Sequence, residues 1–306
     1  MSRIGQYAAW TSSGRICVAA VVLAGGLGLS AQETAAPAKP NPSAIEAAVT
    51  VLGGSDLRSI RYSGTGYIHV GGQRLLTPGA GDRIALKRYD VSIDYPASAM
   101  SVEIVREGSA SGDAVLTDRH IQAVSGATAW DVSFAPASDS AITRTSGTKR
   151  STVAKAPADK SKSAGVEPGL VPQAPQVNPG AAVERRYAIW VTPHGFLKAA
   201  LANQPALRPA GAGTEVSFYS GAQRFVGFIN SKNQVERVRT WIKQPSGDLL
   251  IDTTYTDYAM FGKISFPTRI VQTLTGQPTL ELLITAVQPN APVRVPVPDA
   301  LAAAIR

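Results

Sequence analysis

The stretch Leu249–Gln288, LLIDTTYTDYAMFGKISFPTRIVQTLTGQPTLELLITAVQ, decides the fold class. Its last third sets Leu280, Leu282 and Ile284 against Glu281, Leu283 and Thr285, a period of two that puts one face of a strand inward and leaves the other partly wet. Two earlier runs, Leu249–Tyr258 and Ile264–Thr275, carry the same β-branched and aromatic residues and are separated by Gly-bearing turns. Pro267 inside the second run marks an edge or a bulge. Three successive strands joined by short turns form an antiparallel meander.

Working upstream, Glu215–Tyr219, Arg224–Ile229 and Gln234–Ile242 extend the meander, with Asn230-Ser231-Lys232-Asn233 and Pro245-Ser246-Gly247-Asp248 as turn chemistry. Before them, Thr192 is an N-cap with Pro193 at the first helical position. Phe196, Leu197, Ala200 and Leu201 then fall on one helical face. Glu184–Val191 reads as a strand. In the first half of the chain, Ser43 and Glu46 bracket the start of a short helix that ends at Gly53-Gly54. Strand-like runs follow at Leu57–Val70, Ile84–Asp94, Ser101–Arg106 and Arg119–Ser133. In Ile84–Asp94, Lys87/Tyr89/Val91/Ile93 alternate with Leu86/Arg88/Asp90. The expected class is α+β, mostly antiparallel β: about eleven strands in a curved half-open barrel around two short helices. Two helices are too few to make their own layer, yet enough to fill the concave side of a curved sheet.

Composition bounds the chemistry. The chain has 306 residues, 44% hydrophobic and 17% charged, with three His and one Cys. One cysteine excludes an intramolecular disulfide. Arg3 and Arg15 precede or open an apolar run, Ile16–Leu29, that ends in small residues around Ala31. This is the secretory leader pattern, so residues 1–31 are expected to be a signal peptide and the protein to be exported, periplasmic or secreted. The run falls short of the ~20 residues that span a bilayer, and no later segment is long and apolar enough to cross one. Cys17 lies inside the leader. Residues 32–42 are an Ala/Pro-rich flexible lead-in. Residues 43–302 form one domain, interrupted at 138–182 by a Ser/Pro/Ala/Lys-rich stretch too poor in apolar residues to offset ordering entropy. Its cations could touch anionic lipid or cell-wall polymer, or simply keep a linker solvated. Because the basic excess sits partly there, a nucleic-acid patch is not expected.

No catalytic set emerges. His69, His120 and His194 are too far apart for a metal motif, so no metal and no cofactor are expected. Gly64-Thr65-Gly66 lacks a following Lys and helix, and strand glycines serve close backbone packing instead. Ser146-Gly147-Thr148-Lys149 falls in the low-complexity stretch. Asp252 and Asp257 are five apart, on opposite faces of a regular strand. The aromatic residues Trp130, Tyr187, Trp190, Phe196, Trp241, Tyr255, Tyr258, Phe261 and Phe266 have two readings: core filling, or the lining of an apolar ligand cavity.

Several segments carry a resemblance. Ile60–Gly66, Trp190–Ala200 with its Thr-Pro-His-Gly-Phe, Val235–Ile242, and Tyr255-Thr256-Asp257-Tyr258 through Phe266-Pro267-Thr268-Arg269-Ile270-Val271 resemble the N-terminal region of exported bacterial metallo-β-lactamase-fold hydrolases. So does Val287–Val293. That resemblance implies a region preceding a hydrolase domain whose His-x-His-x-Asp-His motif this chain lacks. The strand order with Tyr-x-Asp-Tyr and a later Phe-Pro is also similar to the periplasmic lipoprotein-carrier half-barrel, which implies a concave apolar surface. The chain therefore reads as a non-catalytic exported module that binds an apolar ligand, lipid or acyl chain, or an envelope protein partner. The alternative is an accessory module of a separately encoded metallo-β-lactamase-fold hydrolase.

Overall fold

A computed structural model describes residues 44–70, 82–111, 114–136, 170–244 and 247–304. The expected leader and lead-in, and residues 138–169 of the low-complexity stretch, lie outside them. Fourteen strands form one antiparallel sheet: β1 (Ser59–Val70), β2 (Asp82–Asp94), β3 (Ala99–Ser111), β4 (Ala114–Ser125), β5 (Thr128–Pro136), β6 (Leu170–Pro172), β7 (Gln176–Val177), β8 (Ala206–Ala210), β9 (Gly213–Ser220), β10 (Gln223–Ile229), β11 (Val235–Ile242), β12 (Leu249–Phe261), β13 (Ile264–Leu274) and β14 (Gln277–Pro289). The helices are α1 (Ala44–Leu52), α2 (Ala182–Val191), α3 (Pro193–Ala202) and α4 (Asp299–Ala304). The sheet runs β6-β5-β4-β3-β2-β1-β14-β13-β12-β11-β10-β9-β8, with β7 paired to β5. Most neighbours are joined by hairpins; the pairing of β1 with β14 unites the first and last strands of the long meander. Strands β6 and β8 are the two edges, so the sheet is open.

Its curvature follows from what α2 touches. That one helix contacts β3, β4 and β5 on one wing and β11 on the other. From β3 to β11 is six strand-to-strand steps, or ~29 Å measured along the sheet. A helix is only ~10–12 Å across with its side chains, so the sheet curls around α2 as a half-open barrel.

The local differences from the sequence reading have physical causes. Residues 184–191 are helical, not extended. Ala182 and Ile189 are seven apart and buried on one face, and Glu184 sits in the first turn, where an acid suits the helix dipole. The aromatic and β-branched residues of this run favour a strand locally, but packing against the sheet overrides that propensity. Residues 170–182, expected to be part of an unstructured insertion, instead make β6, β7 and a 3-10 turn at Pro179–Ala181 that leads into α2. Here backbone pairing with β5, such as Val177 opposite Trp130, compensates for the scarcity of apolar side chains. The run Arg119–Ser133 is two strands, split at Gly126 (φ 57°). Strand β8 is an exposed edge containing Pro209, and such strands carry little hydrophobic signal.

At the middle of the sheet, β1 is bulged against β14 at Ser63/Gly64 and against β2 at Gly64/Gly66. The strands approach so closely here that a Cβ on Gly64 would lie 2.3 Å from the Leu283 carbonyl oxygen, and one on Gly66 1.9 Å from that of Glu281. Gly66→Ala should therefore force β1 and β14 apart and cost about 2–3 kcal/mol, the upper part of the range for overpacking, read as a lower urea midpoint. An unchanged midpoint would show that the strands can separate without penalty.

The main core lies on the concave face, where α3 buries His194, Phe196, Leu197 and Ala200. A second, small cluster lies on the convex face. Val124 and Ala129 belong to the concave core, so by alternation Ala123 and Trp130 point the other way. After β14 the chain crosses that outer face, and Val295, Val297 and Leu301 cover Trp130.

Candidate functional site: a cavity between α2 and the concave sheet

Helices α2 and α3 meet at an elbow held by Thr192. Its extended backbone (φ −61°, ψ 150°) ends α2 and caps α3; its hydroxyl donates to Ile189 O (2.8 Å) and accepts from Gly195 N (3.3 Å). The Tyr255 hydroxyl donates to Val191 O and ties the elbow to β12. Arg185 fixes the other end of α2. Its guanidinium donates to Ala123 O (3.1 Å) and Trp130 O (2.8 Å) and pairs with Asp131 (2.5 Å). Asn178 donates to the second oxygen of Asp131 (2.9 Å).

Beneath α2 these anchors leave a cavity of about 520 Å³. Val91, Met100 and Val102 form one wall; Ile251, Phe266 and Leu282 form the other. Tyr187, Ala188 and Val191 of α2 roof it. The tyrosines in and around it stay neutral: burial pushes Tyr89 up to about 12 and raises Tyr62 and Tyr255 well above the ordinary phenol value. The polar side chains of the wall bond to one another. Gln223 donates to Thr240 and to Trp241 O (2.7 Å), and Gln272 to Thr253 (3.3 Å). Of the lining cations, Arg185 is held by Asp131 and Lys243 pairs with Asp248 at 2.6 Å. The lining carboxylate, Glu184, is exposed in the first turn of α2, and the walls are mostly apolar. A cavity of this size and character is typical of sites for small molecules.

Of the nine aromatic residues singled out in the sequence, Tyr187, Trp241, Tyr255 and Phe266 line this cavity. The other five are elsewhere, with Phe261 at the end of β12 packed against the main core. Trp190 lines a separate groove on the far side of the elbow. Phe196 is wholly buried against the backbone of Gly227. Tyr258 packs at the edge of the core and donates its hydroxyl to Val235 O (2.6 Å). Trp130 is on the convex face. Aromaticity alone does not distinguish these locations, because both faces of the sheet and both sides of α2 bury large rings. Tyr62, Tyr89, Met100 and Val102 also line the cavity and were not singled out. For Tyr89 the signal was present, since the Lys87/Tyr89/Val91/Ile93 alternation already puts it in register with buried Val91 and Ile93.

The histidines are dispersed in space as well. His69 contacts Glu281 at 3.1 Å, His120 is on β4, and His194 is in the core. Among the described residues no group of three or more His, Cys, Asp or Glu could hold a metal ion. Asp252 is engaged by Arg239 (2.9 Å) and Arg237 (3.4 Å). No helix among the described residues is long and apolar enough to cross a membrane.

No family model matches the chain, and no curated protein does. The likeness to exported metallo-β-lactamase-fold hydrolases therefore has no support. Solved structures similar to the chain include a LolA-superfamily protein from Nitrosomonas europaea. It is 13% identical, with 86% of this chain and 97% of that one covered and a TM-score of 0.40. A DUF1329-family protein from Desulfovibrio piger is 7% identical over 84% and 95%, with a TM-score of 0.35.

Proposed function

We propose that this protein is a non-catalytic, exported binding module that takes an uncharged apolar ligand of the acyl-chain class into the cavity beneath α2. The observation that carries this reading is the cavity itself: bounded by α2 and both wings of the sheet, about 520 Å³, and walled mainly by apolar and aromatic side chains, with its one lining carboxylate, Glu184, exposed in the first turn of α2. Apolar walls provide non-directional attraction proportional to the area they cover, and this suits a flexible hydrocarbon better than a molecule that needs specific hydrogen bonds. Gln223, Thr240, Gln272 and Thr253 on the wall already hold hydrogen bonds within the protein, which lowers their penalty when water leaves. Export through the expected leader would place the module where apolar ligands must cross water.

The neutral fluorescent probe N-phenyl-1-naphthylamine tests the proposal. It should bind saturably and be displaced by a monoacylglycerol. Val102→Trp, which fills the cavity from β3, should weaken binding about tenfold or more, which corresponds to ~1.4 kcal/mol. A folded protein that shows no saturable probe binding would refute the proposal, as would a Val102→Trp variant that binds normally.

A further inference from the structure

On the far side of the α2–α3 elbow lies a second concavity of about 530 Å³, separate from the cavity beneath α2. Its floor is aromatic. Tyr95 and Trp190 stack with centroids 6.4 Å apart and planes at 29°. Tyr95 is buried, and its hydroxyl sits 3.3 Å from Thr192 Oγ1, so the elbow itself forms the partition between the two spaces. Lys198 of α3 and Arg58, from the loop before β1, stand on the walls.

Lys198 is the unusual group. Its ammonium lies 5.6 Å from the Tyr95 ring centroid and makes one hydrogen bond, to Gly54 O at 3.3 Å, so two of its three N–H donors have no protein acceptor. Among the described residues no carboxylate is within ion-pair distance of it. Asp56, also on the wall, is exposed. Partial burial disfavours the charged form and pulls the Lys198 pKa down, an effect Asp56 only partly opposes. A half-buried cation without a counter-ion is costly unless something negative joins it. Arg58 adds a second positive charge with no ion pair among the described residues.

We propose that this groove is a second ligand site, specific for small organic anions that carry a flat aromatic group. The carboxylate pairs with Lys198 and Arg58, and the ring lies against Trp190 above Tyr95. The two sites then have opposite selectivity: one takes neutral apolar molecules, the other aromatic anions. This inference does not rest on the acyl-chain reading.

The test is calorimetric titration of 1-naphthoate and its neutral isostere 1-naphthamide, with the cavity beneath α2 saturated by N-phenyl-1-naphthylamine. Naphthoate should bind at a single site, and naphthamide about tenfold more weakly or not at all. Lys198→Met should cost naphthoate about tenfold, and Lys198→Arg should retain binding. Ala202→Trp, which fills the groove from an exposed position at the end of α3, one turn after Lys198, should abolish it. It also provides a second test if Lys198→Met fails to fold. Equal affinity for acid and amide, naphthoate binding unchanged in Ala202→Trp, or no binding of naphthoate at millimolar concentration would each overturn the proposal. If the N-phenyl-1-naphthylamine titration fails while naphthoate behaves as expected, only the acyl-chain reading is lost.

Discussion

Phe196→Ala should lower the melting temperature by about 10 °C. The ring is fully buried on α3, between Phe218 (centroids 5.4 Å apart) and the backbone of β10. Removing such a side chain costs about 3–5 kcal/mol, and ~1 kcal/mol shifts the melting temperature of a domain this size by ~2–4 °C. The seat beneath the ring is Gly227. A Cβ there would lie 2.2 Å from Phe196 Cζ, and two more ring carbons lie within 2.8 Å. Gly227→Ala is therefore an overpacking change of about 1–3 kcal/mol in the native background. Once Phe196 is shortened to leucine, the same substitution should cost much less. Thermal and urea melts of the four-protein cycle measure this coupling. Penalties that add to within about 0.5 kcal/mol would show that the ring and the glycine do not share one space.

The second large effect is on acid stability. His194 is 1% exposed, its ring stacked 5.8 Å from Phe266 with the planes 8° apart. Nε2 lies 3.0 Å from Leu52 O, a bond that requires the ring to donate, so the neutral ring carries its proton on Nε2. Buried Nδ1 has no partner and cannot be protonated without placing an unpaired donor and a charge in the core. Burial is the main cause that pushes the pKa down from 6.5 to about 4; the bond to Leu52 pulls the other way, and the Lys198 charge adds to the depression. The sign follows from linkage. The unfolded chain takes up the proton first, near pH 6.5. The contribution of His194 is thus complete above that pH and is lost as the pH falls towards about 4. The loss amounts to roughly 3 kcal/mol. Burial depresses His120 in the same direction, so the difference from a His194 variant isolates the effect. His194→Gln should be less stable than wild type at pH 7.5, and the gap should close as the pH drops to 4. Parallel stability–pH curves for the two proteins would show that His194 takes up its proton in the fold as readily as in the unfolded chain.

Legibility in the sequence followed how local each signal was. The strands β9 to β14 were readable because their β-branched and aromatic runs are separated by turns that hold Gly, Asn or Pro. The start of α3 was readable because Thr192 and Pro193 are a capping signal that needs no tertiary context. Helix α2 was not. Its residues 184–191 carry a strand-like composition, and only contact with two distant wings of the sheet makes the helix the better packing solution. Strands β6 and β7 were hidden because backbone pairing, not side-chain burial, forms them. The candidate site was legible in part. Trp241, Tyr255 and Phe266 line it, but Trp130 belongs to a face that no local pattern marks as outer.

The sequence by itself determined that the chain is a long antiparallel meander with few helices and without the residue spacing of a catalytic or metal motif. Those properties depend on periodicity, turn chemistry and the spacing of reactive residue types, all set by near neighbours along the chain. Only the tertiary structure decided where the cavity lies and which residues line it. Whether a ring faces a cavity, a core or an outer strap depends on how far the sheet curls and which rows α2 bridges. Whether Arg185 or Lys198 has a counter-ion depends on residues more than fifty or a hundred positions away. These are long-range consequences of curvature that no local window contains.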